Sequence, residues 1–405
     1  MKLRKEILEN KIFEAAELSF NFIPKCEAAV VPFDPMVEKS AVLQENGDYI
    51  LRFAAPDAKE IRIVPWFGEP LPEGYAPWRD EPLYAKKNEA GVFECVLPFS
   101  ENKTGPRNLD IFIDGTFVIW PYLPIYWSGG KPWNYVEVPD NDMEFCYIKD
   151  VPHGAVVHNY YWSGETKNWE RCLVYTPPGY MNGTDAYPVL YLQHGGGENE
   201  TVWTSCGRVN FIMDNLIAEG KCEPFMIVMN NTMIRYSYNC ERASLMDDCF
   251  ENSLINYCIP YMESQYRVKT GKWNRAIAGL SLSSMQTNDI GLKRPDIFGN
   301  MGSFTSTMYH DSYDALNYER PWPKVMANPE KFMQNYRVFY CSATPQEDHM
   351  PFFMKDAEIM REAGIEGKMP GYRRVIHNGR MIRWNSWRMG MQEFATMLFK
   401  QDSLT

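Results

Sequence analysis

The segment Ala276–Ser284, Ala-Ile-Ala-Gly-Leu-Ser-Leu-Ser-Ser, constrains the fold of this chain more than any other. An apolar run reads as a strand, enters the turn Gly279-Leu280-Ser281-Leu282-Ser283, and leaves into a helix-like run beginning near Met285. This is the layout of a nucleophile elbow, in which a tight strand-to-helix turn projects a serine hydroxyl above a sheet. Gly279 and Ser283 stand where bulk would clash across the turn. The usual pattern has glycine at the second of these places, so Ser283 is a departure.

The 405 residues give room for two domains, and 45% hydrophobic with 14% aromatic residues supply substantial cores. A net charge of −11 disfavours a nucleic-acid partner, because phosphate binding needs a basic surface. No stretch reaches about 18 consecutive apolar residues, so no membrane span is expected. Met1–Phe22 mixes charges with apolar residues and does not read as a secretory signal. The ten cysteines form no Cys-x-x-Cys pair and no Cys/His cluster at zinc spacing. They are expected to be reduced, mostly buried thiols of a cytoplasmic protein, or of a secreted one whose signal has been removed. The 23 methionines read mainly as helix core or adaptable pocket lining.

Periodicity divides the chain. Between about Val42 and Val138, short alternating runs such as Tyr49–Phe53, Glu60–Val64 and Val92–Leu97 read as strands. Asp114-Gly115 between Leu109–Ile113 and Thr116–Trp120 is a hairpin signal, since both turn positions want positive φ. Several short strands within about a hundred residues indicate a β-sandwich. Pro121–Trp133 gathers Tyr122, Tyr126, Trp127 and Trp133, which suits either a sugar-stacking platform or a loop packed on the neighbouring domain.

From about Val151 the pattern changes. Tyr187–Leu192, Phe225–Met229, Arg275–Ala278, Val338–Cys341 and Arg373–Ile376 are apolar or mixed runs suited to buried strands. Helical runs alternate with them: Val209–Gly220, Cys249–Tyr266 with Pro260 inside to kink or split it, and about Trp387–Lys400. This alternation predicts a doubly wound α/β sheet, with chemistry at the carboxyl ends of its strands. His194, Ser281 and the loop after Cys341 all fall there.

Several collinear motifs point further. Val151-Pro152-His153-Gly154, Tyr175–Tyr180, Tyr187–Gly197 and the Gly279–Ser283 elbow resemble the feruloyl esterase and enterochelin esterase-like α/β-hydrolases, a group overlapping carbohydrate esterase family 1. The resemblance implies a mostly parallel α/β-hydrolase sheet over residues 141–405. It also implies an immunoglobulin-like (E-set) sandwich over 41–140, preceded by an extension over 1–40 that packs on the body. By position, Ser281 matches the nucleophile. The N–H groups of Leu282 and of the Gly195-Gly196-Gly197 turn, Gly195 and Gly196 foremost, match the oxyanion hole. His194 is expected to support that turn. The acid position matches the loop after Cys341, with Asp348 preferred over Glu347.

The family's base departs from this pattern. Two residues before Trp384-Asn385-Ser386-Trp387-Arg388, where the family has histidine, this chain has Ile382. An isoleucine cannot accept a proton, and an unassisted serine hydroxyl is a poor nucleophile. Three readings compete. His377, at the end of the last predicted strand, takes the role and keeps the chain order Ser281, Asp348, His377. His349 or His310 enters from another loop. Or the protein is a degenerate hydrolase that binds a carbohydrate or aromatic ligand. Arg380, Arg383 and Arg388 fall around the site entrance, as surface charges or partners of an anionic substrate group.

The leading expectation is a serine ester hydrolase acting on acyl or hydroxycinnamoyl esters of carbohydrates, needing no cofactor and no metal. An acyltransferase is a further alternative. The expected partner is a small-molecule or oligosaccharide ester, not nucleic acid or membrane, and a homodimer is compatible with the sequence.

Overall fold

A computed structural model describes residues 3–13, 40–55, 57–66, 80–89, 91–101, 103–233, 248–305, 327–345, 350–377 and 384–400. The chain divides into two compact units, Met1–Ile148 and Lys149–Thr405.

The first unit is built from two antiparallel sheets. One runs in the order Ala41–Leu43, Tyr49–Phe53, Phe93–Leu97, Lys86–Lys87. The other runs Leu83–Tyr84, Ile61–Trp66, Gly105–Ile113, Lys131–Val138, Ile125–Ser128, with Thr116–Val118 paired to Gly105–Ile113. Period-2 alternation supplies the core: Leu51 and Phe53 from one sheet, and Ile61, Ile63 and Ile111 from the other, are fully buried in one cluster. The Asp114-Gly115 hairpin is present, with φ of 48° and 82° at its two central residues.

Two of the four rings in the aromatic string belong to the core. Tyr126 and Trp133 are buried within this unit's own sheet. The Tyr126 hydroxyl donates to Asn108 Oδ1 (2.7 Å), the Trp133 indole donates to Ser128 O (2.7 Å), and Lys131 Nζ covers the Trp133 ring at 3.7 Å. Their rings serve packing, and Trp127 alone of the four is strongly exposed.

The second unit carries eight strands: β1 (Ala155–Ser163), β2 (Asn168–Thr176), β3 (Val189–Gln193), β4 (Met226–Asn230), β5 (Arg275–Leu280), β6 (Asn300–Phe304), β7 (Val338–Ala343) and β8 (Tyr372–Ile376). They form one sheet in the order β1-β2-β4-β3-β5-β6-β7-β8. The β1/β2 hairpin is antiparallel, β2 meets β4 antiparallel, and every later pairing is parallel. Strands β3, β4, β5, β6 and β7 are almost continuously buried, as a sheet covered on both faces requires.

The helices of this unit are α1 (Val202–Ser205), α2 (Val209–Ala218), α3 (Asp248–Ser253), α4 (Ile259–Gln265), α5 (Leu282–Lys293), α6 (Pro329–Asn335), α7 (Met350–Glu362), α8 (Ile365–Lys368) and α9 (Trp384–Met397). Pro260 does not end the segment at Cys249–Tyr266. A π-turn over Leu254–Cys258 joins α3 to α4 directly before Ile259-Pro260, so the helical path continues through the proline, whose missing N–H leaves one helical hydrogen bond unmade. Among the described residues no helix is long and apolar enough to cross a membrane.

Candidate active site

The turn after β5 is strained at one residue. Ser281 has φ 49° and ψ −123°, a backbone conformation that a residue with a Cβ rarely adopts. Three bonds hold it there. Ser281 N–H donates to Phe304 O at the end of β6 (2.9 Å), while Ser284 N–H (3.0 Å) and the Ser284 hydroxyl both donate to Ser281 O. Helix α5 starts at the next residue, and the first N–H groups of a helix lack intrahelical acceptors.

The small residues around the turn have separate reasons. A Cβ on Gly279 would lie 2.6 Å from both Ser283 O and Thr287 Oγ1, so the first small position admits nothing larger. Ser283 replaces the usual glycine because its side chain has a partner: its Oγ lies 2.9 Å from Thr232 Oγ1, in a fully buried position. The hydroxyl pair links the elbow to the loop after β4.

The turn after β3 lies against the elbow. A Cβ on Gly195 would meet Leu280 Cδ1 at 2.7 Å, Glu198 Oε2 at 3.2 Å and Ser281 Cβ at 3.5 Å. A Cβ on Gly196 would meet Leu282 Cδ2 at 3.3 Å. Gly195 and Gly196 therefore flank Ser281 and Leu282 with no side chain between them. Gly195 N–H is already engaged, donating to Glu198 Oε2 at 2.8 Å. This leaves Gly196, rather than Gly195, as the oxyanion candidate of the turn.

His194 is part of the scaffold. Its Nε2 accepts from Thr232 N–H (3.1 Å), so Nδ1 carries the proton and donates to Gly195 O (2.8 Å). Burial lowers its pKa to about 4, which keeps the ring neutral in this donor–acceptor arrangement. Gly195 O and Gly196 N–H belong to one planar peptide, so anchoring the oxygen also sets the direction of the N–H.

An aromatic wall borders the elbow. Trp203 packs edge-on to Phe304 (5.9 Å) and Trp384 (5.4 Å), and Trp384 to Trp387 (5.1 Å). The half-buried Trp387 donates its indole N–H to Thr305 Oγ1 (2.7 Å), next to the residue that accepts from Ser281 N–H.

His377 follows β8 directly, its N–H donating to Ala343 O at the end of β7 (2.9 Å), and the residue is buried. Among the described residues, no hydrogen bond joins Ser281 Oγ to His377 or to another side chain. Asp348, Glu347, His349, His310 and Ile382 lie outside the described residues, as do Arg380 and Arg383. Arg388 is neither a surface charge nor a substrate contact. It is fully buried in α9, and its Nε donates to Cys206 O (2.8 Å), tying the last helix to the end of α1. The eight described cysteines are all free thiols, six of them buried, and no described group of His, Cys, Asp and Glu could hold a metal ion.

The sequence reading missed Glu198 and Thr232. An acid immediately after three glycines was the available signal for the first; nothing in the sequence marked the second.

Comparison with known proteins agrees with this architecture. Residues 163–349 match the Esterase family model, described as "Putative esterase". The chain is 32% identical over 382 residues to an endo-1,4-beta-xylanase/feruloyl esterase of Xylanibacter ruminicola, covering 93% of this chain and 48% of that protein. It is 29% identical over 164 residues to endo-1,4-beta-xylanase Y of Acetivibrio thermocellus, covering 38% of this chain and 14% of that protein. The chain thus spans about half the length of the first relative and a small part of the second. Among solved structures, a ferulic acid esterase superposes with a TM-score of 0.52 at 23% identity, covering 60% of this chain and 97% of its own. The enterobactin esterase of Shigella flexneri superposes with a TM-score of 0.56 at 13% identity, covering 89% and 97%. The eight-strand order, the elbow after β5 and these superpositions give the second unit the α/β-hydrolase fold, and the Esterase family model is matched over residues 163–349.

Proposed function

We propose that the chain is a serine ester hydrolase, acting on acyl or hydroxycinnamoyl esters of carbohydrates through an acyl-enzyme intermediate. The observation that carries this reading is the backbone of Ser281, held in a strained conformation beside two backbone amides and an aromatic wall. Strain of this kind costs about 1–3 kcal/mol and persists where a function requires it.

In this mechanism Ser281 Oγ attacks the ester carbonyl and gives its proton to an imidazole. His377 fills that role, since it opens the loop after β8, and Asp348, in the loop after β7, orients it. The amides of Gly196 and Leu282 receive the developing oxyanion, each worth about 3 kcal/mol in the transition state. Collapse of the tetrahedral intermediate releases the alcohol, protonated by the imidazolium. Water then attacks the acyl-enzyme by the same route in reverse. The half-buried Trp387, backed by the buried Trp384, supplies apolar surface suited to an aromatic acyl group, and the names of the relatives favour feruloyl esters. The first unit fits an immunoglobulin-like sandwich accessory to this domain.

A second reading rests on Ile382, which stands where the family's histidine is expected: an esterase homologue with impaired turnover that binds a carbohydrate or aromatic ligand. One experiment separates the two. Hydrolysis of p-nitrophenyl acetate and methyl ferulate is measured for wild type, Ser281→Ala, His377→Ala and Ile382→His. The hydrolase reading expects Ser281→Ala and His377→Ala each to lose several orders of magnitude in kcat, as removal of a triad member does. Equal rates for wild type and Ser281→Ala would favour the binding protein. A large gain in Ile382→His would mark a decayed triad.

A further inference from the structure

The oxyanion turn contains a group that the mechanism above does not use. Glu198 is buried in a turn otherwise made of glycines, and its Oε2 accepts from Gly195 N–H at 2.8 Å. The same oxygen, together with Leu280 Cδ1 and Ser281 Cβ, packs so closely around Gly195 that a Cβ there would meet them at 3.2, 2.7 and 3.5 Å, which sets the carboxyl next to the elbow. Three consecutive glycines give this turn a wide choice of backbone conformations, which works against a donor that must point one way before substrate arrives. His194 Nδ1–H and Glu198 N–H hold the Gly195 oxygen, at 2.8 and 3.4 Å, and the Glu198 carboxyl holds the Gly195 N–H. Both peptides of Gly195 are thereby pinned, and the second of them carries the Gly196 amide.

We propose that Glu198 is a positioning residue for the oxyanion hole, its carboxyl fixing the Gly195 peptide so that Gly196 N–H is aimed at the space beside Ser281. The inference rests on Ser281 being the nucleophile. The carboxyl performs this role best when neutral, because a carboxylate there would oppose the negative charge that forms on the substrate oxygen. Burial raises its pKa to about 8 and the Gly195 N–H pulls it back only in part. His194, the titratable side chain of the same turn, stays neutral above about pH 4. Glu200, two residues on, pairs with Arg171 at 2.8 Å. The elbow side contributes Leu280, Ser281 and Leu282, none charged.

Glu198→Ala, Glu198→Gln and Ser281→Ala are compared with wild type, using p-nitrophenyl acetate turnover from pH 6 to 10 and hydrogen exchange of the Gly195–Gly197 segment. Glu198→Ala is expected to lower kcat roughly 10- to 100-fold with little change in KM, a share of what losing an oxyanion donor costs. Glu198→Gln, which keeps an acceptor oxygen without the charge, should recover most of that loss. It should also lack the fall in kcat expected of wild type as pH rises through about 8. Exchange of the segment should quicken in Glu198→Ala and stay slow in Glu198→Gln. Equal losses in both variants, or no loss in either, overturn the proposal, as does unchanged exchange in Glu198→Ala. Wild-type turnover that survives in Ser281→Ala overturns the hydrolase reading instead, and the exchange comparison still decides whether Glu198 pins the turn.

Discussion

At the scale of single residues, the elbow shows how far a short motif dictates geometry. Gly279 is confined by Ser283 O and Thr287 Oγ1, so Gly279→Ala should cost about 1–3 kcal/mol of stability, visible as a lowered Tm, and should displace Ser281 enough to depress turnover. Ser281 itself is held against its preference. Ser281→Gly is therefore expected to unfold at a higher temperature than Ser281→Ala, because glycine adopts φ 49° without a Cβ clash, although both lack the hydroxyl. The reverse order of Tm would mean that Ser281 is not strained. These features were legible in the sequence, since the clash that demands glycine is local. Glu198 and Arg388 were not read this way. Arg388 reads as a surface charge or a substrate partner until the tertiary fold buries it against Cys206 O, while Glu198 was passed over although the glycine run before it was a local signal.

At the scale of elements, five of the six parallel strands were readable because buried strands leave apolar runs that alternate with helical periods, whereas β6, Asn-Met-Gly-Ser-Phe, and the antiparallel β1 and β2 were missed because polar residues interrupt their runs. Strand ends moved by a residue or two, and the last helix begins at Trp384 rather than near Trp387. Pro260 signalled a disturbed helix, but its resolution as a π-turn depends on packing that periodicity does not record. The aromatic run of the first unit left two readings open for a similar reason: exposure, not residue type, separates a platform from a core. The junction of the β4 loop with α5 carries its own prediction. Thr232→Val leaves the buried Ser283 hydroxyl without its partner and should cost about 1–3 kcal/mol. Adding Ser283→Ala should return part of that loss, and a double-mutant cycle by denaturant unfolding reads the coupling. Strict additivity would show that the two hydroxyls do not interact.

At the scale of the whole molecule, the turn after β3 ties stability to pH from both sides. His194 titrates near 4 folded against 6.5 unfolded, so its contribution is full above pH 6.5 and is lost as pH falls through 4. Glu198 titrates near 8 folded against 4.5 unfolded, so its contribution is full below pH 4.5 and is lost as pH rises through 8. Each shift amounts to a few kcal/mol at most, on the order of 1.4 kcal/mol per pKa unit. Glu198→Gln should accordingly gain in Tm relative to wild type as pH rises from 5 to 9, and a difference independent of pH would contradict the burial of an ionisable acid there. The claim on which the functional account depends is that Ser281 carries the acyl group between two half-reactions. Its most direct test is to quench the protein during turnover of methyl ferulate or p-nitrophenyl acetate and map covalent adducts by peptide mass spectrometry. The account predicts an acyl group on the peptide containing Ser281, absent from Ser281→Ala. Ester hydrolysis that proceeds with no adduct on that peptide, and at the same rate in Ser281→Ala, would contradict it.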